Sequence, residues 1–345
     1  MTEAKTGDKR VLGHRRAFSR RAFLKAGGAG LASAALLGAA GCGSEESGQK
    51  GGGLVNRGDI RIEVVTHIPG SDPFGAIVEN GTEQAQKDMG VEVNYRAPDT
   101  YDIPQIQKNF EAAIASQPNG ISATIPDANA IGPLVKEAVN DGIPVVIHNG
   151  GLDFWEKYGA LNFVGQKEFE AGVEAGKRMA EEGVKNALCI NHYQGQLQLD
   201  QRCAGFKKGL GGSAKEIAVE GENPTQVQNA VKTALRQNPD TDGMLSLGPT
   251  SVLPLLKIFN SINKGGSLKY ATFDLAPEVL KAVRDGVLLF AIDQQPFLQG
   301  YLPITFLTTY TQYRVSPVTA VPTGPSFVTK DNAQQVIKLS AEGVR

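Results

Sequence analysis

Two polar clusters in the middle of the chain stand where a ligand could be met. Asp127 follows the short apolar run Ile121–Ile125, and His148-Asn149 follows a second run, Ile143–Ile147. A carboxylate, an imidazole and an amide gathered at one rim supply hydrogen-bond donors and acceptors. No glycine-rich phosphate loop accompanies them, and three cysteines with four scattered histidines give no metal-ligand spacing and no call for a cofactor. The chemistry such a rim supports is recognition of a neutral, hydroxyl-rich molecule. Asp127 also has a purely structural use, because Asp is a preferred helix N-cap.

The elements that must position these residues are legible from periodicity. Between the two runs, Ile131, Leu134, Val135, Ala138 and Val139 recur at the spacing of one helix face, and Asp141-Gly142 stops the helix. Strands apolar on both faces belong in a covered parallel sheet, whose ligands sit beyond the carboxyl ends of the strands. The same alternation precedes this unit: strand Ile60–Thr66, helix from about Phe74 to Met89, strand Gly90–Tyr95, helix Ile103–Ser116. Strand Leu161–Gly165 closes it. A second series then begins: helix Phe169–Glu182, strand Asn186–Asn191, helix Asp200–Gly209, strand Ile217–Glu220, helix Thr225–Asn238 and strand Gly243–Leu247. Helix Val252–Asn260, strand Lys269–Phe273, helix Pro277–Asp285 and strand Leu289–Asp293 complete it. The tail differs: helix Gly300–Arg314, an extended stretch Val321–Val328 and helix Asp331–Leu339 need a sheet to join. The fold class is α/β, with two doubly wound parallel-sheet lobes.

Charge is uneven along the chain. Residues 1–41 carry eight Lys/Arg and two Asp/Glu, leaving 35 − 8 = 27 against 36 − 2 = 34 in the remainder, a balance of −7. An acidic body argues against nucleic acid as a partner. Ser19–Lys25 reads SRRAFLK and precedes a weakly apolar run, Ala26–Ala40, shorter than the roughly 20 residues that span a membrane. That is the layout of a cleavable signal, and SRRAFLK resembles the twin-arginine export signal. Ala39-Ala40-Gly41-Cys42 resembles a bacterial lipobox, with Ala39 where Leu is commonest; it implies lipidation of Cys42. Ser44–Gly53 is a flexible linker. Cys189 and Cys203 are then an even pair in an exported chain, either bridged or two buried thiols.

Five further motifs, in order, carry a likeness to a known family. They are His67-Ile-Pro-Gly-Ser-Asp72-Pro-Phe74, Ile125-Pro-Asp127, Arg202-Cys-Ala-Gly205-Phe206, Thr272-Phe-Asp274 and Ala291-Ile-Asp-Gln294-Gln295. Together they resemble the type I periplasmic (solute-)binding proteins, specifically the ribose-binding-like sugar branch, over roughly residues 59–340. The resemblance implies a three-segment hinge, crossed near 163–166, 293–295 and 321–323. The corresponding division is a signal (1–41), a tether (42–58), one lobe (59–165 plus 295–321) and a second (166–294 plus 322–345). It also implies that Asp72, Phe74, Asp127, Arg202, Asp274 and Gln294 meet the ligand. Where ribose binders usually place a second aromatic stands Gly75, and Gly248-Pro249-Thr250 replaces their usual Asn-Asp.

Those residue types suit a sugar or polyol. Carboxylates, Arg202 and the amides of Asn149 and Gln294 hydrogen-bond paired hydroxyls, and Phe74 offers a face for the C–H side of a ring. His67, His192, Gln166 and Gln295 are further candidates. Structural alternatives stand beside each: a helix cap for Asp127 or Asp274, a surface ion pair for Arg202, core packing for Phe74. The expected function is an exported, lipid-anchored, monomeric receptor at the outer face of the cell membrane or in the periplasm. It would deliver a sugar or polyol to an ABC permease without altering it. A receptor for chemotaxis or a sensor is the alternative. An exported glycosidase using Asp127 and Asp274 as paired carboxylates is a third reading.

Overall fold

A computed structural model of the chain describes residues 55–263, 265–340 and 342–345. The signal, Cys42 and all but the last residues of the tether lie outside them. The strands are β1 (Arg61–Val65), β2 (Glu92–Arg96), β3 (Gly120–Ala123), β4 (Val145–His148), β5 (Asn162–Gln166), β6 (Asn186–Asn191), β7 (Ser213–Ala218), β8 (Gly243–Ser246), β9 (Lys269–Phe273), β10 (Phe290–Asp293), β11 (Val321–Gly324) and β12 (Ser326–Thr329). The helices are α1 (Pro73–Met89), α2 (Ile103–Ala115), α3 (Ala128–Asn140), α4 (Glu168–Glu181), α5 (Leu197–Leu210), α6 (Pro224–Gln237), α7 (Pro249–Leu256), α8 (Phe259–Ile262), α9 (Pro277–Arg284), α10 (Pro296–Tyr313) and α11 (Ala333–Ser340). Among the described residues no helix is long and apolar enough to cross a membrane.

The strands form two six-stranded sheets, ordered β11-β5-β4-β3-β1-β2 and β12-β10-β9-β8-β6-β7. Every pairing is parallel except β10 with β12. Inner strands such as β3, β4, β8 and β10 are buried along their whole length, as their unbroken apolar runs require, while β2 and β7 at the edges are half exposed. Each half has the same internal order, with the chain reversing direction across the sheet between β1 and β3 and between β6 and β8. Those reversals leave a crevice at the carboxyl ends of the strands, where the loops after β1, β4, β6, β8, β9 and β10 gather.

Three differences from the periodicity reading have physical causes. The strand expected at Ile217–Glu220 is β7, which starts earlier and is an exposed edge whose polar residues hide its extent. The helix expected at Val252–Asn260 is two, α7 and α8, with Pro254 within the first and a break at Lys257-Ile258. The stretch Val321–Val328 is two strands in different sheets, because Pro325 separates β11 from β12. The chain therefore passes between sheets after β5, after β10 and at Pro325.

Candidate functional site

The loop after β1 brings the first set of side chains to the crevice. Asp72 caps α1, accepting from the Phe74 amide at 2.9 Å, with Pro73 as the first helical residue. That cap directs Phe74 from the first turn into the cleft. A Cβ on Gly75 would lie 2.9 Å from the Ile68 side chain and 3.0 Å from Pro69 O, so the loop can fold back on the helix start only over a glycine. Asn149, after β4, takes a left-handed backbone with φ 58°. Its amide nitrogen donates to Gln299 Oε1 at 2.9 Å and to Gln294 Oε1 at 3.2 Å.

The facing set hangs on a close helix crossing. Gly172 and Gly176 of α4 lie directly against the backbone of α5, and Gly205 and Gly209 of α5 against that of α4. This crossing joins the ends of two long side chains. Arg202 Nε donates to Glu168 Oε2 at 2.6 Å and Nη2 to Glu168 Oε1 at 3.0 Å, a bidentate pair with both residues buried. Nη1 donates to Leu247 O at 2.9 Å and lies 3.5 Å from Asp274 Oδ2, while the guanidinium sits 4.6 Å from the centre of the Phe273 ring. Asp274, left-handed at φ 63°, accepts from Gln294 Nε2 at 2.6 Å. Gln166 Nε2 donates to Glu168 at 2.8 Å. One connected polar chain thus runs Gln166–Glu168–Arg202–Asp274–Gln294–Asn149 from one lobe into the other.

Burial sets the protonation of this chain and its neighbours. Loss of hydration pushes Asp72 up to about 6. It pushes Asp274 up to about 7 against the pull of Arg202. His67 and His192 are driven down to about 3, by burial first and then by nearby positive charge, and so are neutral. Burial opposes the Arg202 charge as well, but Glu168 and Asp274 outweigh it and hold the guanidinium protonated. Its charge is committed to Glu168, so the cleft does not offer a free cation to an anionic guest.

What the cleft does offer is unmatched neutral polarity. Gln198 Nε2 donates to Gln196 Oε1 at 3.0 Å and to His67 Nε2 at 2.7 Å. The neutral His67 ring must then carry its proton on Nδ1. That donor, the acceptor Gln198 Oε1 and His192 Nδ1 are buried without a hydrogen-bond partner. A hydroxyl, which both donates and accepts, can satisfy either kind of group, and leaving each unpaired costs about 1–3 kcal/mol. Gly248 makes room for His192, since a Cβ there would lie 2.8 Å from the ring. The cavity between the lobes is about 40 Å³ at this separation, smaller than a six-membered ring with its hydroxyls, so a ligand of that size enters by parting the lobes.

Residues 62–313 match the sequence profile of the family described as periplasmic binding protein domain. The chain belongs to that family. A carbohydrate transporter from Acidothermus cellulolyticus, solved in complex with myo-inositol, is 34% identical, with TM-score 0.78 over 83% of this chain and 99% of that one. A periplasmic sugar-binding protein of an ABC sugar transporter from Legionella pneumophila is 27% identical, with TM-score 0.72 over 77% of this chain and 99% of that one. The xylose/arabinose-binding protein of Sulfolobus acidocaldarius is 26% identical over 298 residues, 81% of this chain and 73% of that one. The fold is that of type I periplasmic binding proteins, two α/β lobes with largely parallel sheets, and its relatives are binding proteins rather than enzymes.

In this periplasmic binding protein, Asp72, Phe74, Asn149, Arg202, Asp274, Gln294, His67 and His192 all line the cavity. Three expected residues do not. Asp127 Oδ1 accepts from the Asn129 and Ala130 amides at 2.8 and 3.0 Å, capping α3 away from the cavity. Gln166 stands behind Glu168 and orients it. Gln295, left-handed at φ 55°, donates to Thr323 O at 2.7 Å where the chain crosses between sheets. Cys189 and Cys203 are bonded, with Cα atoms 5.9 Å apart, tying β6 to α5. Sequence reasoning missed Glu168, Gln196, Gln198 and Gln299. The glutamines of Tyr193-Gln-Gly-Gln196-Leu-Gln198, just past a strand end, were the available signal for two of them.

Proposed function

We propose that the protein captures an uncharged monosaccharide or cyclic polyol between its lobes and hands it intact to an ABC permease. The observation that carries this is the buried, unpartnered set His67 Nδ1, Gln198 Oε1 and His192 Nδ1, in a cleft whose single arginine is already neutralised by Glu168. Hydroxyls satisfy such groups, whereas a phosphate or carboxylate would meet Asp72 and Asp274 with no free cation to offset them. The myo-inositol in the Acidothermus complex and the pentoses in the name of the Sulfolobus protein support a ligand of this size and polarity. The test is a thermal-shift and calorimetric screen of the purified chain with myo-inositol, D-xylose, L-arabinose, D-ribose and D-allose beside sugar phosphates. At least one neutral compound is expected to raise the melting temperature by several degrees, and the phosphates none. A phosphate binding more tightly than its parent sugar would refute the reading.

The motifs at Ser19–Lys25 and Ala39–Cys42 support export in the folded state and anchoring by a lipid on Cys42. The protein then works as a monomer on the outer face of the membrane, and Cys42→Ala moves it from the membrane to the soluble fraction. Retention of that variant at the membrane after a salt wash would count against the anchor.

A further inference from the structure

A second chamber lies at the mouth of the cleft. It is an open pocket of about 410 Å³, and His192 and Tyr193 line both it and the inner cavity. Its walls come from both lobes, with Thr100 and Tyr101 between β2 and α2 on one side, and the end of β7, the loop that follows it and Gln226 on the other. The Tyr101 and Tyr193 rings meet across the boundary with centroids 5.4 Å apart and planes tilted by 33°. The Tyr101 amide donates to Glu222 Oε1 at 3.4 Å, so the chamber is complete only when the lobes meet.

Aromatic faces bordered by Glu220, Glu222 and Gln226 are suited to a carbohydrate ring, whose C–H side packs on the rings and whose hydroxyls bond the carboxylates. The carboxylates disfavour a uronic acid or a phosphorylated sugar there. Between the chambers stands His192, 6% exposed, with Nδ1 unpartnered. A free monosaccharide in the inner cavity would leave all of this unused.

We propose that the outer chamber is a second sugar subsite, and that the cleft accepts an uncharged two-ring glycoside with one ring inside and the other against Tyr101. This rests on the inner cavity being a sugar or polyol site. Isothermal titration of the purified chain compares D-xylose with xylobiose, L-arabinose with arabinobiose, and myo-inositol with galactosyl-myo-inositol. In at least one pair the two-ring compound should bind about tenfold tighter, the worth of one good aromatic contact. Tyr101→Ala should abolish that gain, so that the one-ring and two-ring members of the pair bind alike, whatever loss of closure the missing Tyr101–Tyr193 contact imposes on both. Ala218→Trp, which fills the chamber from the end of β7, should do the same. One-ring binding with no gain in any pair, or a gain that survives both substitutions, overturns the subsite and leaves the inner reading standing. Failure of all six compounds to bind overturns both.

Discussion

Arg202 shows how a charge is buried at a cleft and neutralised in place. Its two bonds to Glu168 satisfy the fork of the guanidinium, and both residues are almost wholly shielded from water. Removing one partner strands the other, so Glu168→Ala is expected to cost about 3–5 kcal/mol in urea denaturation. A loss below about 1 kcal/mol would show that solvent reaches the pair. The titrating groups give a second expectation. Unfolding returns His67, His148 and His192 from about 3 to 6.5, so the unfolded chain takes up protons the native one refuses, and stability is lost as pH falls below 6.5. Asp72 and Asp274, raised from 3.8 to about 6 and about 7, act in the opposite sense, since the native state holds their protons as pH falls toward 3.8. Asp200 and Asp293, raised by burial to a lesser degree, act with them, and the three large histidine shifts outweigh the four carboxyls. The melting temperature should be flat near neutrality and fall between pH of about 6.5 and about 4.5, more steeply in Asp274→Asn and less steeply in His148→Gln. A melting temperature that does not move across that window, measured at fixed ionic strength, would rule the balance out.

At the scale of elements, the site depends on how closely α4 and α5 approach. A Cβ at Gly205 would run into Phe169 O, one residue along from Glu168. Gly205→Val should force the helices apart and cost about 1–3 kcal/mol. It should also weaken ligand binding, because Glu168 and Arg202 can no longer meet in register. Full retention of affinity in the variant would uncouple the crossing from the site. The same crossing shows what the sequence could and could not convey. Apolar runs and helix-face spacing made nearly every strand and helix legible, because burial on one or both faces imposes those periods directly. Asp72, Phe74 and Asp274 were legible because they follow strand ends, where cleft residues of such sheets stand. Glu168 was not, since its partner lies 34 positions away and the two meet only because glycines four apart, Gly172/Gly176 and Gly205/Gly209, let two backbones touch. That spacing was present to be read. Asp127 was ambiguous for the opposite reason: a carboxylate after a strand end serves a cap or a ligand equally well, and its bonds to the Asn129 and Ala130 amides show the cap.

For the molecule as a whole, affinity contains the free energy of bringing the lobes together. Several ties cross the cleft without entering the cavity: the Leu197 amide donates to Pro126 O at 3.2 Å, and Gln201 Nε2 donates to Asp153 Oδ2 at 2.6 Å. Such ties favour the closed arrangement whether or not a ligand is present, and apparent affinity scales with the population of the binding-competent form. Asp153 is exposed and outside the cavity, so Asp153→Ala should remove about 0.5–1.5 kcal/mol from closure alone. The dissociation constant of whichever sugar or polyol binds should then rise about two- to tenfold. The ligand-free variant should have a larger radius of gyration by X-ray scattering, and excess ligand should restore the wild-type value. The effect should appear mainly as faster release, because opening the closed complex then breaks one contact fewer. An unchanged dissociation constant together with an unchanged ligand-free radius would mean that closure is governed by the hinge segments around Gln295 and Pro325, and not by contacts across the cleft mouth.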